Sequence, residues 1–209
     1  MNDFSPANLA QAPVASASAI LAAAGLLLSS LERGQRVDAA TLRTAMETAF
    51  SASDASGLWN WKAGYDACEV ASVLFLRKYC RAIFRQADTP AARLAALSKI
   101  SSLLPSHTRR SEESRVLQQF STPIPLGLAA LTAAETRPDD VVLEPSAGTG
   151  LLAILAEISG GSLILNELAD TRADLLSSLF PARPKSALSV GFSPVRQQTP
   201  NWRICVLEP

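Results

Sequence analysis

The chain has 209 residues, 48% of them hydrophobic and 18% charged, with 19 basic side chains balanced by 19 acidic ones. That length and apolar content suffice to bury a sizeable core and exclude global disorder. A net charge of zero excludes the strong basic field that marks a stand-alone nucleic-acid binder.

The first 12 residues read as loose. The apolar run 20–28 follows a start that carries Asp3 and no Lys or Arg, so the positive region of a signal peptide is missing. Pro13, Ser16 and Ser18 interrupt its extension, which leaves it short for a membrane span. The expectation is a buried helix over 14–33, ended by Gly34, apolar nearly all round and central in a bundle, with no membrane association. Asp38 is placed to cap a second helix over 39–50, with Leu42, Ala45, Met46 and Ala49 on one face. A turn-rich connector, 51–57, follows.

A long helix is predicted over 62–86. Trp61, Tyr65, Cys68, Ser72, Phe75 and Tyr79 recur at three- and four-residue spacing and share a face. Trp59, Trp61 and the Arg77-Lys78 pair would suit nucleic acid by stacking and charge. Aromatic packing with a solvated basic end is the preferred reading. Thr89 caps and Pro90 opens another helix that runs to 104, closed by Pro105. The polar stretch 106–114, with His107, Arg109 and Arg110, reads as a hinge. Cys68, Cys80 and Cys205 match no zinc spacing, and the single histidine, His107, is not near them, so no metal is expected. Buried thiols in a reducing cytosol are the expected state, and the location read from this is cytoplasmic.

Ser121 or Thr122 is expected to cap a helix over 123–135, with 138–140 as the turn into the first strand. Val141 to Leu143 is β-branched and apolar, as a strand buried on both faces should be. Gly148 and Gly150 follow, then a helix over 151–158 ended by Gly160-Gly161, then a second buried strand over 163–165. This is a strand–turn–helix–strand unit with a nucleotide-like ligand at its turn. Glu167 stands just past the carboxyl end of the second strand, where open α/β sheets bind ligands. A short helix over 170–180 has Leu175, Leu176 and Leu179 as its core face. Beyond 182 the periodicity deteriorates, with candidate strands at 186–190 and 204–207.

The spacing Gly148-x-Gly150-x-x-Ala153 also satisfies the dinucleotide fingerprint, with Glu167 at the distance of a ribose-binding acid. Two features argue against NAD. Glu144 lies before the turn, where its charge would repel a pyrophosphate, and Pro145-Ser146-Ala147 lengthens the turn. A carboxylate at that point suits a ligand carrying an amine and a sulfonium. No Lys follows Gly150, which excludes a P-loop.

The segment Glu144-Pro145-Ser146-Ala147-Gly148-Thr149-Gly150 resembles the cofactor motif of S-adenosylmethionine-dependent methyltransferases of the adenine-N6 DNA methylase type. Gln119-Phe120-Ser121-Thr122-Pro123 resembles the segment of that family that covers the methionine end of the cofactor. More widely, 59–79, 104–125 and 141–168 look like the N-terminal part of bacterial proteins that join a methylase-like domain to a strawberry-notch-like helicase. The resemblance implies an α/β fold: a helical region over 1–105, a linker over 106–120, and a partial Rossmann-like (class I methyltransferase) parallel sheet over 121–209. It implies S-adenosylmethionine as cofactor, held by Phe120, Ser121, Thr122, Glu144, Ser146, Ala147, Gly148, Gly150, Asn166 and Glu167. It also implies DNA and a helicase as partners of the full-length form. Two family motifs have no counterpart. Val190-Gly191-Phe192-Ser193-Pro194 carries no acid for the adenine ring of the cofactor, and Val206-Leu207-Glu208-Pro209 stands where relatives have Asn-Pro-Pro-Phe. A shortened gene product, with a frameshift near Ser186, is the reading of that loss. No catalytic residue is assigned. A non-catalytic accessory module of a helicase and an NAD-dependent enzyme are the rival expectations.

Overall fold

The computed structural model describes residues 16–105 and 121–181 and the backbone of Trp202 and Arg203. The architecture is mostly helical with a small parallel sheet. Helix α1 spans Ala17–Glu32, α2 spans Ala39–Phe50 and α3 spans Trp61–Gln86. Helix α4 spans Pro90–Ser101 and α5 spans Ile124–Ala133. Strand β1 (Val141–Glu144), helix α6 (Leu151–Ile158) and strand β2 (Ser162–Leu165) follow. Helix α7 (Asp170–Leu179) and strand β3 (Trp202–Arg203) come last. The predicted strand at 186–190 and the one at 204–207 lie outside the described residues. The pairing seen next to β1 falls at Trp202–Arg203, in a stretch without sequence periodicity.

Side-chain caps account for three of the helix starts. The Asp38 carboxylate accepts the Thr41 N–H at 2.8 Å, and the Thr89 hydroxyl accepts the Ala92 N–H at 3.2 Å ahead of Pro90. Asn60 does the same for Ala63 at 3.0 Å and starts α3. Helix α4 stops at Ser101, short of the expected 104, because its end turns inward: the Leu103 carbonyl accepts the Val37 N–H at 2.8 Å. The start of α5 departs further. Pro123 precedes the helix, neither Ser121 nor Thr122 caps it, and Pro125 in the first turn has no N–H to satisfy. The Ser121 hydroxyl is engaged elsewhere.

The centre of the helical layer is α3, not α1. Helix α1 buries Ile20, Ala23, Ala24, Leu27 and Leu31 but leaves Ala22, Gly25 and Leu26 exposed. Helix α3 is buried on every side from Ala63 to Val73. Its small residues (Ala63, Gly64, Ala67, Ala71, Ser72) let neighbours approach closely, and Leu42 of α2 lies 3.4 Å from where a Gly64 Cβ would sit. Helices α1, α2, α4 and α6 all pack against α3.

The sheet has strand order β2-β1-β3, all parallel, with Val141 opposite Ser162 and Glu144 opposite Leu165. Burial is not continuous: Val142 and its register partner Leu163 are buried, while Val141, Leu143, Ile164 and Leu165 are half-buried. The strands are thus less buried than the expectation of a sheet enclosed on both faces. Helix α6 packs on both β1 and β2 and touches α3 and α5 on its other sides. Ile154, Leu155 and Ala156 of α6 belong to the same buried apolar cluster as Leu42, Val70 and Leu76.

Candidate functional site

The two strand ends stay zipped beyond their last residues. Asn166 N–H donates to the Glu144 carbonyl at 3.0 Å, and Ala147 N–H donates back to the Asn166 carbonyl at 2.8 Å. The Asn166 side-chain amide adds a bond to the Pro145 carbonyl at 3.0 Å. The turn then closes on itself through Gly150 N–H to the Ala147 carbonyl, 2.8 Å. Gly148 has φ +56° and Gly150 φ +91°, a region that L side chains enter only under strain. Gly150 has a second constraint: a Cβ there would stand 2.4 Å from the buried Phe180 ring.

Two carboxylates stand at the carboxyl ends of the adjacent strands. Glu167, buried, accepts Gly148 N–H at 2.7 Å on one oxygen and Ala169 N–H at 2.9 Å on the other. Glu144, half-buried, accepts Ser146 N–H at 3.2 Å. Burial pushes the Glu144 carboxyl above its ordinary value and the nearby Glu167 charge adds to this, against the Ser146 N–H. Glu144, Ser146, Ala147, Gly148, Gly150, Asn166 and Glu167 thus gather around one turn, as the sequence placed them. The Ser146 and Asn166 side chains lie on its solvent side. Phe120 lies outside the described residues, and Thr122 is half-buried.

Ser121 joins this group through a residue the sequence reading missed. Its hydroxyl bonds to one oxygen of Glu69 in α3, while the Thr149 hydroxyl donates to the other oxygen at 2.7 Å. One helical turn earlier, Asp66 receives two bonds from Arg172 of α7: Nε at 3.0 Å and Nη2 at 2.8 Å, both on Oδ1. The Arg172 Nη2 also lies 4.0 Å from Glu69. Lys62 Nζ stands 3.4 Å from the second Asp66 oxygen, which accepts no well-aligned hydrogen bond. Asp66 and Glu69 are 1% and 5% exposed, and Arg172 is buried as well. Burial draws the guanidinium's pKa down, and Asp66, Glu69 and Glu167 more than reverse this, so it is held above its ordinary value. The missed signal was two acids three apart in an apolar, small-residue stretch of helix, which buries charge that needs a partner.

The aromatic and basic residues of α3 serve packing. Trp59 is buried and donates its indole N–H to the Ala52 carbonyl at 3.0 Å. Trp61 contacts Trp59 and Tyr65 and carries Arg43 over its ring. Arg77 pairs with Glu157 at 2.9 Å while stacking on Phe180, and Lys78 pairs with Glu32 at 2.7 Å. His107, Arg109 and Arg110 lie outside the described residues. Among the described residues no group of side chains is arranged to hold a metal ion, and no helix is long and apolar enough to cross a membrane. No protein-family model, curated protein or solved structure matches this chain.

Proposed function

We propose that the turn from Glu144 to Gly150 binds S-adenosylmethionine, and that the chain is a methyltransferase-like domain of Rossmann-like topology. The observation that carries this reading is the charge and donor set at the strand ends. Three carboxylates bond to the turn, Glu69 through Thr149, Glu144 through Ser146 and Glu167 through Gly148, against a cation beside it, Arg172, 3.7 Å from where a Gly148 Cβ would sit. Such a site attracts a ligand with a sulfonium, an amine and sugar hydroxyls, and repels a pyrophosphate. The strand order supports the same reading. With β2 on one side of β1 and β3 on the other, the carboxyl end of β1 is a topological switch point, where open parallel sheets take their ligands.

In this reading Glu144 draws the amine and the sulfonium end. Glu167 takes the ribose hydroxyls: its two backbone N–H bonds leave a second lone pair free on each oxygen. Gly148 and Gly150 let the backbone approach the ligand closely, and the segment of Phe120, Ser121 and Thr122 covers the methionine end. The cofactor supplies a methyl group already activated by its positive sulfur, so the protein's part is alignment. Cofactor binding is the property assigned to the turn. On its resemblance to proteins that join a methylase-like domain to a helicase, the partners proposed for the domain are DNA, as substrate of an adenine-N6 methylase, and a helicase. The buried free thiols Cys68 and Cys80 support a reducing, cytoplasmic setting.

Isothermal titration of the purified chain with S-adenosylmethionine and with NAD tests the proposal. Micromolar binding of the first alone is expected. Binding of NAD alone would overturn the assignment, and binding of neither would favour an accessory module of a helicase. If Glu167→Ala leaves the affinity unchanged, the ribose assignment falls.

A further inference from the structure

We propose that Glu69 is a positioning residue for the ligand site: it ties the segment at Ser121 and the glycine turn to α3, and so to each other. The proposal rests on the S-adenosylmethionine reading for its functional consequence, and on hydrogen bonding alone for the tie. Glu69 is buried, and its two oxygens go to two different segments, one to the Ser121 hydroxyl and one to the Thr149 hydroxyl at 2.7 Å. A carboxylate is acceptor-only, so both hydroxyls are fixed as donors and both side chains are held toward α3.

The consequence is greatest at the turn. A Gly-x-Gly backbone has many conformations to lose on ordering. Here the middle residue, Thr149, is buried and anchored to Glu69, while Gly148 N–H is anchored to Glu167. The turn is therefore held from two sides. The side that comes from α3 also holds Ser121, one of the residues assigned to the methionine end of the ligand. Arg172, held in place by Asp66, supplies the counter-charge that lets Glu69 stay in a dry position. Chain segments far apart in sequence are thereby set in fixed relation before a ligand arrives, which is how a site avoids an ordering cost on binding.

The test compares Glu69→Ala with Glu69→Gln in the full chain. Glutamine keeps one acceptor, and its amide can donate to the other hydroxyl, so it preserves both links without the charge. Hydrogen exchange of the ligand-free protein is read at peptides covering 121–126 and 146–150. In Glu69→Ala both should exchange about tenfold faster, and in Glu69→Gln both should stay near wild type. Unchanged exchange at either peptide in Glu69→Ala, or a glutamine variant that behaves like alanine, overturns the tie. S-adenosylmethionine titration then reads its consequence: affinity about tenfold weaker in Glu69→Ala and near wild type in Glu69→Gln. If exchange rises but affinity holds, the positioning role is refuted. If wild type binds no S-adenosylmethionine, the functional reading fails while the exchange result still decides the tie. Should Glu69→Ala fail to fold, Ser121→Ala and Thr149→Val each remove one donor. Each should loosen both peptides; loosening confined to the mutated one overturns the proposal.

Discussion

Gly150→Ala should be among the most damaging single-methyl additions in this protein. The residue sits at φ +91°, and left-handed backbone costs an L-residue about 1–2 kcal/mol. The new Cβ would also stand 2.4 Å and 2.9 Å from two Phe180 ring carbons and 3.3 Å from a Leu176 methyl. The ring cannot swing away freely, because it is buried and Arg77 covers it at 4.7 Å. Overpacking of this kind costs about 1–3 kcal/mol, so the two effects together reach about 2–5 kcal/mol. Gly148→Ala is the internal control. Its φ is +56°, but the nearest atom to its Cβ is an Arg172 nitrogen at 3.7 Å, an ordinary contact, so only the backbone cost of about 1–2 kcal/mol applies. Urea unfolding followed by circular dichroism separates the two, with a midpoint for Gly150→Ala about 1 M below that of Gly148→Ala. Phe180→Leu in the Gly150→Ala background should recover part of the loss. Equal midpoints for the two alanine variants would refute the argument that Phe180 closes over this turn.

Arg172→Met should destabilise by about 3–5 kcal/mol, because it removes the guanidinium that offsets the charge of the buried Asp66 and Glu69 carboxylates; a loss under about 1 kcal/mol by urea unfolding would show that the pair is solvated. Glu144→Gln should change the pH dependence of stability. Glu144's folded-state pKa lies above its ordinary value of 4.5, so the native chain holds a proton that the unfolded chain has already released. Its contribution to stability is therefore greatest at low pH and falls as pH rises through that window. Thermal unfolding from pH 4 to pH 7 should show the glutamine variant gaining on wild type as pH increases, and isothermal titration at neutral pH should show it binding S-adenosylmethionine more weakly. Cys68 and Cys80 should resist a disulfide reagent in the native protein, since burial pushes Cys68 far up and Cys80 to about 11. Mass-spectrometric mapping should find both labelled only after unfolding.

The strand–turn–helix–strand unit was legible because its signals are local. Val141 to Leu143, the two glycines, the apolar run 151–158 and the Gly160-Gly161 stop recur in the structure within a residue or so of their sequence positions. The same holds for Asp38 and Thr89 as caps. Ser121 was misread for an instructive reason. A serine before a proline-opened helix satisfies the cap pattern, but the helix starts at Ile124 with Pro123 in the cap position, which leaves Ser121 two residues upstream with its hydroxyl donated to a buried carboxylate of another helix.

What the sequence determined by itself was chain-local: where helices start and stop, where the backbone must turn left-handed, and that an acid stands at the end of each of two adjacent strands. Tertiary structure decided which helix lies at the centre and which charges meet. Asp66 and Arg172, like Glu69 and Thr149, come from opposite parts of the chain, and no periodicity links them. Their partnership arises from the cost of burying a charge alone, a cost that exists only once α3 has been covered on every side.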